Sequence, residues 1–503
     1  MRDKLVIKNT GISTICQILD VILGFIVRKM FIKYIGMEML GVNGTFASIL
    51  NTLSLAELGF ESAVIYRLYQ PMKEKNTQQI EEIVVILKKI YEFVGIFILM
   101  VGILISAFLP WILKGVKINA EIYIVFYLQL IGIAITYFLA YKRTFILALQ
   151  KDYIRNVFVS VYKIIATTIQ IVLILRFHSF VLYVTVSILQ NFFTNYSIAK
   201  YVDKTTNYNF KRKKINKEIL KKLYLDVKEI FIGKLAGYIY TSTDNLIISA
   251  CINTLSVGLL GNYTQILYQM KTVITNVFNS TKPIIGHFLT SDTTKEHSKD
   301  ILDDYTFIRY TVAVCMLVPG YVLCDCFISS WLGPDYILSK QVSLFLVTDI
   351  FIHLVHGALV DYISGLGYFK QDRKCSIVGA GINIVLSLAL VHIIGMAGVL
   401  IGTVVSQSYF WISRSIIIFR EYFEDIKGMF IDYWRKCSVY ILSFYVLCFG
   451  CQTLFERIPL ANSYFKFIIG GIMCVVIVLI TLLLLFRKTR EFKYAWNMVC
   501  KYF

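Results

Sequence analysis

Residues 36–76, GMEMLGVNGTFASILNTLSLAELGFESAVIYRLYQPMKEKN, are apolar for most of their length and then become charged. The stretch at 41–65 is long enough to cross a hydrocarbon core of about 30 Å as a helix. Glu57 and Glu61 lie about one helical turn apart near the end of this stretch. Pro71 follows shortly afterwards. The pattern predicts a membrane helix that ends before a loop containing Pro71.

The composition of the chain is that of a membrane protein. Of its 503 residues, 57% are hydrophobic and 17% are charged, whereas soluble domains carry about 25% charged residues. The charged N-terminus runs into a long apolar stretch without a small-residue cleavage site, which predicts an uncleaved first helix. The net charge of +19 has to be read from the positions of the basic residues. We expect many membrane crossings and no nucleic-acid partner.

Apolar stretches separated by charged or Gly- and Pro-containing breaks predict an all-α polytopic membrane protein with about fourteen transmembrane helices. The predicted spans are 11–33, 41–65, 91–113, 121–141, 155–175, 180–199, 229–252, 258–288, 305–329, 341–366, 375–394, 397–419, 437–455 and 464–486.

The basic residues predict the orientation of these helices. Most of the 51 lysines and arginines fall in alternate connections, and the positive-inside rule then places both termini in the cytoplasm. The strongly basic connection at 200–228 is interpreted as an anchor on anionic lipids. The sharper alternative is a funnel that attracts an anionic lipid substrate. The external connections are short, so no extracellular catalytic domain is expected.

An internal repeat predicts the domain organisation. LGVNGTFASILNTL at 40–53 and VGLLGNYTQILYQM at 257–270 align Gly41 with Gly258 and Gly44 with Gly261. Small residues at this spacing also promote helix packing, so packing alone could produce part of the pattern. The shared register favours two six-helix lobes. The predicted boundaries are 1–200 for the first lobe, 201–228 for a basic linker, 229–420 for the second lobe, and 421–503 for two further helices with a basic tail.

Three segments together carry a family resemblance. Residues 36–76, TDNLIISACINTLSVGLLGNY at 243–263 and GMAGVLIGTVVS at 395–406 resemble the repeat-unit (Wzx-type) polysaccharide flippases of the multidrug/oligosaccharidyl-lipid/polysaccharide exporter (MOP) superfamily. The resemblance extends over essentially the whole chain, and the first segment is its most specific part. It implies two lobes around a central cavity, two added helices, and a location in the bacterial cytoplasmic membrane.

The resemblance also implies an activity. The expected substrate is an undecaprenyl-pyrophosphate-linked oligosaccharide, moved from the inner to the outer leaflet by alternating access for capsule, exopolysaccharide or teichuronic-type synthesis. Polysaccharide polymerases and glycosyltransferases are the expected protein partners. Because a fold does not fix a substrate, a peptidoglycan-precursor flippase and a multidrug exporter stay open. A membrane-embedded polymerase and a scaffold acting through the 200–228 loop are weaker alternatives.

Charged residues inside predicted spans are the candidate substrate-binding residues, because a charge at mid-bilayer costs about 2.5–3.5 kcal/mol on insertion scales. Asp244 lies in the polar run YTSTDN and is favoured as a cavity residue. Lys271 is a compact cation suited to a pyrophosphate, with a salt bridge to an acid such as Asp244 as the alternative. The remaining candidates, each with a snorkelling or paired alternative, are Asp20, Arg28, Lys163 and Lys234.

A second group is assigned to gating or ion coupling. Glu57 is interpreted as half of an inner-gate ion pair with Arg143 or Arg155, and a coupling carboxylate is the alternative. Glu61 and Arg67 lie beside it, near the predicted headgroup region.

The predicted tenth helix contributes Asp349 and His353, which are i, i+4 neighbours. A histidine beside a carboxylate can titrate near physiological pH, although a satisfied buried pair explains the spacing equally well. The sequence has no glycine-rich phosphate loop, nucleophile elbow or recognisable metal-ligand set. We therefore expect a transporter rather than an enzyme, without a metal site or cofactor, and leave a coupling proton or sodium ion open.

Overall fold

A computed structural model describes residues 2–54, 60–149, 151–210, 243–279, 281–289, 294–425, 427–459 and 463–502. Within these ranges the secondary structure is helical and contains no strand, which confirms the all-α prediction. The chain divides into two compact units, residues 1–258 and 259–503. The lobe and linker boundaries given above stay predictions.

The first unit is built from helices joined by short connections. They are α1 (Arg2–Tyr34), α2 (Met37–Leu53), α3 (Phe60–Glu74), α4 (Thr77–Ser106), the short α5 (Leu109–Ile112), α6 (Ala120–Ala148), α7 (Asp152–Phe177), α8 (Phe180–Thr205) and α9, described over residues 243–251. Side-chain oxygens of Asn76, Asn119 and Ser179 accept hydrogen bonds from first-turn N–H groups and so cap α4, α6 and α8.

The second unit follows the first without an intervening domain. The helix α10 (Thr254–Asn279) begins in the first unit and continues into the second. The remaining helices are α11 (Lys282–Leu289), α12 (Lys295–Trp331), α13 (Lys340–Leu366), α14 (Phe369–Ile394), α15 (Met396–Glu421), α16 (Gly428–Glu456), α17 (Ser463–Phe486) and α18 (Arg490–Tyr502).

Eight of the described helices are long and apolar enough to cross a membrane: α6, α7 and α12 to α17. Large apolar side chains such as Leu442 and Leu484 stay more than two-thirds exposed, which is the exposure expected of side chains that face lipid. The helices therefore support a multi-pass membrane protein.

Aromatic side chains pack the interior of each unit. In the first unit Phe46 is fully buried and lies 5.0 Å from the Phe126 ring in an edge-to-face arrangement. In the second unit the Phe351 and Phe444 rings stack at 4.1 Å. Such pairs contribute about 0.5–1.5 kcal/mol each beyond the burial of their area.

The predicted spans differ from the observed helices in several places. The span at 41–65 corresponds to α2 and the start of α3, with residues 55–59 outside the described ranges, and α3 continues through Pro71 to Glu74. The prediction that Pro71 lies in a loop is therefore wrong. Pro71 sits in the last turn of α3, where it removes one i→i−4 hydrogen bond, to the Arg67 carbonyl oxygen, and only three helical residues follow it. The span at 258–288 is split between α10 and α11, and α4 begins at Thr77 instead of residue 91.

The C-terminal segment, predicted only as a basic tail, contains the amphipathic helix α18. Its Arg490 forms ion pairs with Asp300 and Asp304 of α12. Glu491 is buried and lies 2.8 Å from the Lys436 Nζ of α16. Lys436 also pairs with the buried Asp303. These residues form a charged cluster that docks α18 on the first turns of α12 and α16.

Candidate functional site

The polar face of α13 carries several buried titratable side chains of the second unit. Asp349, His356 and Asp361 are each at most 3% exposed, and His353 is half-buried beside them. Burial of charged groups is costly unless they are paired. Their partners come from α10, α11, α12 and α15, which makes α13 the centre of the candidate site.

Lys271 of α10 lies near the first of these residues. Its side chain is half-buried, its Nζ lies 5.3 Å from the centre of the Tyr268 ring, and it interacts electrostatically with Asp349 and His353. The structure thus brings together three residues that the sequence assigned to two separate roles, substrate binding and coupling. Within the second unit, Asp349 is the acid that interacts with Lys271.

Asp361 has a nearly complete set of donors. Arg309 of α12 donates through Nη2 to the Asp361 carboxylate and, at 2.8 Å, to the Tyr305 hydroxyl. The Tyr305 hydroxyl donates to the same carboxylate at 2.8 Å, and the Lys282 Nζ lies 3.5 Å from its other oxygen. The guanidinium carbon of Arg309 is also 4.4 Å from the centre of the Phe278 ring. Arg309 is therefore fixed by both ion pairing and stacking.

A second arginine network lies on the α15 side of α13. The His356 Nδ1 is 2.8 Å from the Ile352 carbonyl oxygen, and its Nε2 is 2.9 Å from Nη1 of Arg414. Because a carbonyl and a guanidinium flank the ring, Nδ1 donates, Nε2 accepts, and the imidazole is neutral. Arg414 donates from Nε to Asp372 at 2.6 Å.

Cations and carboxylates alternate around α13. Lys271, Lys282, Arg309 and Arg414 face Asp349, Asp361 and Asp372, so each cation has an internal acid as its current counterion. A cation held this way can exchange its carboxylate for a phosphate oxygen of a ligand at little cost in hydrogen bonds. The arrangement suits binding of an anion or transfer of a cation.

The first unit brings together two other predicted residues, Asp20 of α1 and Lys163 of α7, which interact electrostatically. Arg28 of α1 donates a long hydrogen bond of 3.5 Å to the Gly258 carbonyl oxygen and interacts with Tyr183 of α8. Asp244 is half-buried in α9. The functions assigned to these residues stay predictions.

The predicted gate lies only partly within the described ranges. Glu57 and Lys234 fall outside them. Glu61 accepts a 3.4 Å hydrogen bond from Thr144, and Arg67 is half-buried in α3. Arg155, one partner suggested for Glu57, is 2.8 Å from Asp152 of its own helix.

Arg309 and Arg414, like Lys282, are cations of this site that the sequence analysis missed. Both lie inside long helices but near the ends of predicted spans, where an arginine is normally assigned to the headgroups. Asp361 and Asp372 provided the signal that could have found them, because carboxylates at the ends of adjacent apolar helices require cationic partners.

Comparison with known proteins gives likenesses in structure only. No family model matches the chain, and no curated protein sequence matches it significantly. Its structure is similar to the lipid II flippase MurJ in an inward closed conformation, with a TM-score of 0.65 and 14% identity over 94% of this chain and 98% of that one.

Two MATE structures are also similar. An inward-facing multidrug resistance MATE family transporter of the MOP superfamily has a TM-score of 0.57 and 15% identity over 81% of this chain and 97% of that one. A MATE structure in a bent conformation has a TM-score of 0.53 and 13% identity over 88% and 97%. The chain therefore has the fold of the MurJ and MATE transporters of the MOP superfamily.

Proposed function

We propose that this protein is a flippase for undecaprenyl-pyrophosphate-linked oligosaccharide repeat units in the bacterial cytoplasmic membrane, with both termini cytoplasmic. It moves its substrate from the inner to the outer leaflet for synthesis of a surface polysaccharide. The glycosyltransferases that build the repeat unit and the polymerase that joins it are its functional partners.

One observation carries the proposal: the likeness to the lipid II flippase extends over nearly the full length of both chains. The part of this chain that does not align with the flippase structure is shorter than α16 and α17 taken together. At least part of these two C-terminal helices therefore aligns with it. The inward-facing MATE structure covers less of this chain. A polyprenyl-pyrophosphate substrate is therefore favoured over a drug.

The charges around α13 support the same substrate class. Lys271 holds a positive charge inside an apolar helix, where a pyrophosphate can replace Asp349 as its counterion. The apolar prenyl chain stays in lipid, because transfer through water would expose its whole hydrocarbon area. Release of Asp349 from Lys271 then links substrate binding to the state of this carboxylate, which a proton or sodium ion can neutralise.

The test is reconstitution of the full chain in proteoliposomes with a fluorescent undecaprenyl-pyrophosphate-linked oligosaccharide. The protein should accelerate the appearance of the label in the opposite leaflet, and an imposed proton or sodium gradient identifies the coupling ion. Lys271→Glu should abolish transfer, whereas Lys427→Glu, at an exposed position in the connection before α16, should not.

Leaflet transfer at the rate of protein-free vesicles would overturn the proposal. The same vesicles loaded with lipid II or with a fluorescent cationic drug test the two alternatives. Faster movement of either compound than of the oligosaccharide would reassign the function. Normal transfer by Lys271→Glu would remove Lys271 from pyrophosphate binding.

A further inference from the structure

The first unit contains a cavity lined by amides, which neither the predicted site nor the α13 charges include. It has a volume of about 250 Å³ and lies between α2, α6 and α8. The polar side chains that line it are Asn43, Asn51, Gln129, Asn191, Ser187 and Tyr183. None of the described residues lining it is charged. Two of the four amides, Asn51 and Asn191, are exposed, so a ligand can reach the polar groups that line the cavity.

The amides on facing helices are held in fixed orientations. Gln129 of α6 donates from Nε2 to the Asn43 Oδ1 of α2 at 2.8 Å. This bond uses the acceptor of Asn43 and one donor of Gln129. It leaves the Asn43 NH₂ group and the Gln129 carbonyl to act as a donor and an acceptor of fixed position.

The Ser187 hydroxyl of α8 is held in place by a residue that lies outside the cavity. Gln170 of α7, which is 4% exposed, donates to the Ser187 Oγ at 2.8 Å and to the Tyr183 carbonyl oxygen at 3.2 Å. The Tyr183 ring packs edge-on against Phe31 at 4.8 Å. A buried residue outside the cavity thus fixes the Ser187 hydroxyl that lines it, and such support favours a preorganised binding site.

The chemistry of the lining selects the ligand. A sugar ring presents neighbouring hydroxyls, each a donor and an acceptor, and amide side chains match both functions. An aromatic side chain such as Tyr183 adds an apolar face with a polar tip. A phosphate or a carboxylate would meet no cation in the lining, and Arg28, which interacts with Tyr183, does not line the cavity.

The size of the cavity limits how much of the ligand it holds. Drug-sized pockets span roughly 300–1,000 Å³, so about 250 Å³ suits one sugar ring rather than an oligosaccharide. The lining also differs from that of a cavity in the second unit. A cavity of about 160 Å³ in the second unit is lined mainly by aromatic and aliphatic residues, including Trp411, Trp434 and Phe351.

We infer that the amide-lined cavity between α2, α6 and α8 binds one uncharged sugar residue of the transported glycan. The inference rests on the proposed function and adds a specificity: the bound residue is a neutral hexose or N-acetylhexosamine, not a uronic acid. Sugar identity is then recognised in the first unit.

The test uses the full chain in nanodiscs and saturation-transfer NMR with methyl glycosides of neutral hexoses and N-acetylhexosamines. Methyl glucuronide is the charged comparison. Neutral glycosides should bind at least tenfold more tightly than the glucuronide. Asn43→Leu and Asn191→Leu should each weaken that binding about three- to tenfold, the effect of one lost hydrogen bond. Gln190→Leu is the matched control, because Gln190 precedes Asn191 on α8 but does not line the cavity.

Folding of each variant is checked by its unfolding temperature. Asn191 is exposed, so Asn191→Leu decides the question if Asn43→Leu does not fold, and Asn191→Gln should restore part of the binding. Equal binding by wild type, Asn191→Leu and Gln190→Leu overturns the inference, as does equal binding of the glucuronide.

The proteoliposome assay separates this inference from the proposed function. If wild type transfers the lipid-linked oligosaccharide while Asn191→Leu keeps the wild-type KM and glycoside binding, the sugar site is wrong and the flippase stands. If wild type transfers no oligosaccharide but binds neutral glycosides in an Asn191-dependent way, the flippase is wrong and the sugar site stands.

Discussion

Gly41 and Gly258 lie where the backbones of α2 and α10 touch. A Cβ atom on Gly41 would overlap the Thr254 carbonyl oxygen, and one on Gly258 would lie 2.7 Å from the Met37 carbonyl oxygen. The contact is reciprocal, since each glycine faces the residue four positions before the other. The two glycines aligned by the internal repeat therefore meet each other, and close helix packing explains why both positions require glycine.

We expect Gly41→Ala to destabilise the protein, because the added methyl group meets backbone that cannot rotate away. Overpacking of this kind costs about 1–3 kcal/mol. The measurement is thermal unfolding of the detergent-solubilised full chain. Gly450→Ala is the control, because a Cβ there meets open space, and its unfolding temperature should not fall. An unfolding temperature of Gly41→Ala equal to that of Gly450→Ala would contradict the backbone contact.

The Arg309–Asp361 pair should show strong coupling. Removing one member of a buried ion pair costs about 3–5 kcal/mol because the other charge is left uncompensated. Arg309→Met and Asp361→Asn should each lower the free energy of unfolding by about 3–5 kcal/mol. The double variant should lose clearly less than the sum of the two single losses. Chemical denaturation of the four proteins gives the coupling energy. Lys282→Met, at a side chain that is 44% exposed, should cost far less. Additive losses would show that the pair is not a unit.

Arg414 should not be replaceable by lysine. Its guanidinium contacts Asp372 through Nε and Nη2 and the His356 ring through Nη1, and a lysine ammonium cannot reproduce that planar fork. Arg414→Lys is expected to lower the free energy of unfolding by about 1–3 kcal/mol. Arg435→Lys, at a side chain that is 76% exposed, provides the baseline. Equal stability of the two variants would rule out the proposed geometry.

Docking of α18 should depend on pH through Glu491. Although burial opposes ionisation, the hydrogen bond from Lys436 lowers the pKa of Glu491 below its ordinary value of 4.5. Because the folded-state pKa is depressed, this carboxylate stabilises the protein fully above about pH 4.5 and loses its effect as the pH falls through the folded value. The unfolding temperature of wild type should therefore fall as the pH decreases below about 4.5.

A variant isolates that contribution. Glu491→Gln should have a lower unfolding temperature than wild type at pH 7. On acidification its unfolding temperature should fall by less than that of wild type. Glu121→Gln, at an exposed position in the first turn of α6, should follow the wild-type curve. Parallel curves for wild type and Glu491→Gln would mean that another group controls acid sensitivity.

Local patterns in the sequence were enough to predict the helical fold and part of the site. Apolar runs of bilayer length predicted α6, α7 and α12 to α17, and i, i+4 spacing placed Asp349 next to His353. The partners of α13 could not be predicted this way. Arg309 lies 52 positions from Asp361, and Arg414 lies 58 positions from His356. These pairs exist only because separate helices pack together, so no local period reveals them.

The amide cavity was missed for the same reason. Asn43 and Gln129 are 86 positions apart, and each alone resembles an ordinary polar residue on a helix. The ends of helices were also difficult to predict where a polar turn extends the helix beyond its apolar span. The capped first turns of α4 and the charged first turns of α12 are helical because side-chain caps and ion pairs satisfy them, and a hydropathy pattern does not record these interactions.

The docking of α18 also sets an order of events during synthesis. Asp300 and Asp304 leave the ribosome 190 and 186 residues ahead of Arg490, the residue that pairs with both. Until then these two carboxylates lack Arg490 as a partner and must be satisfied by water. A nascent chain in which α18 has not yet docked therefore displays unpaired charges at the edge of the second unit.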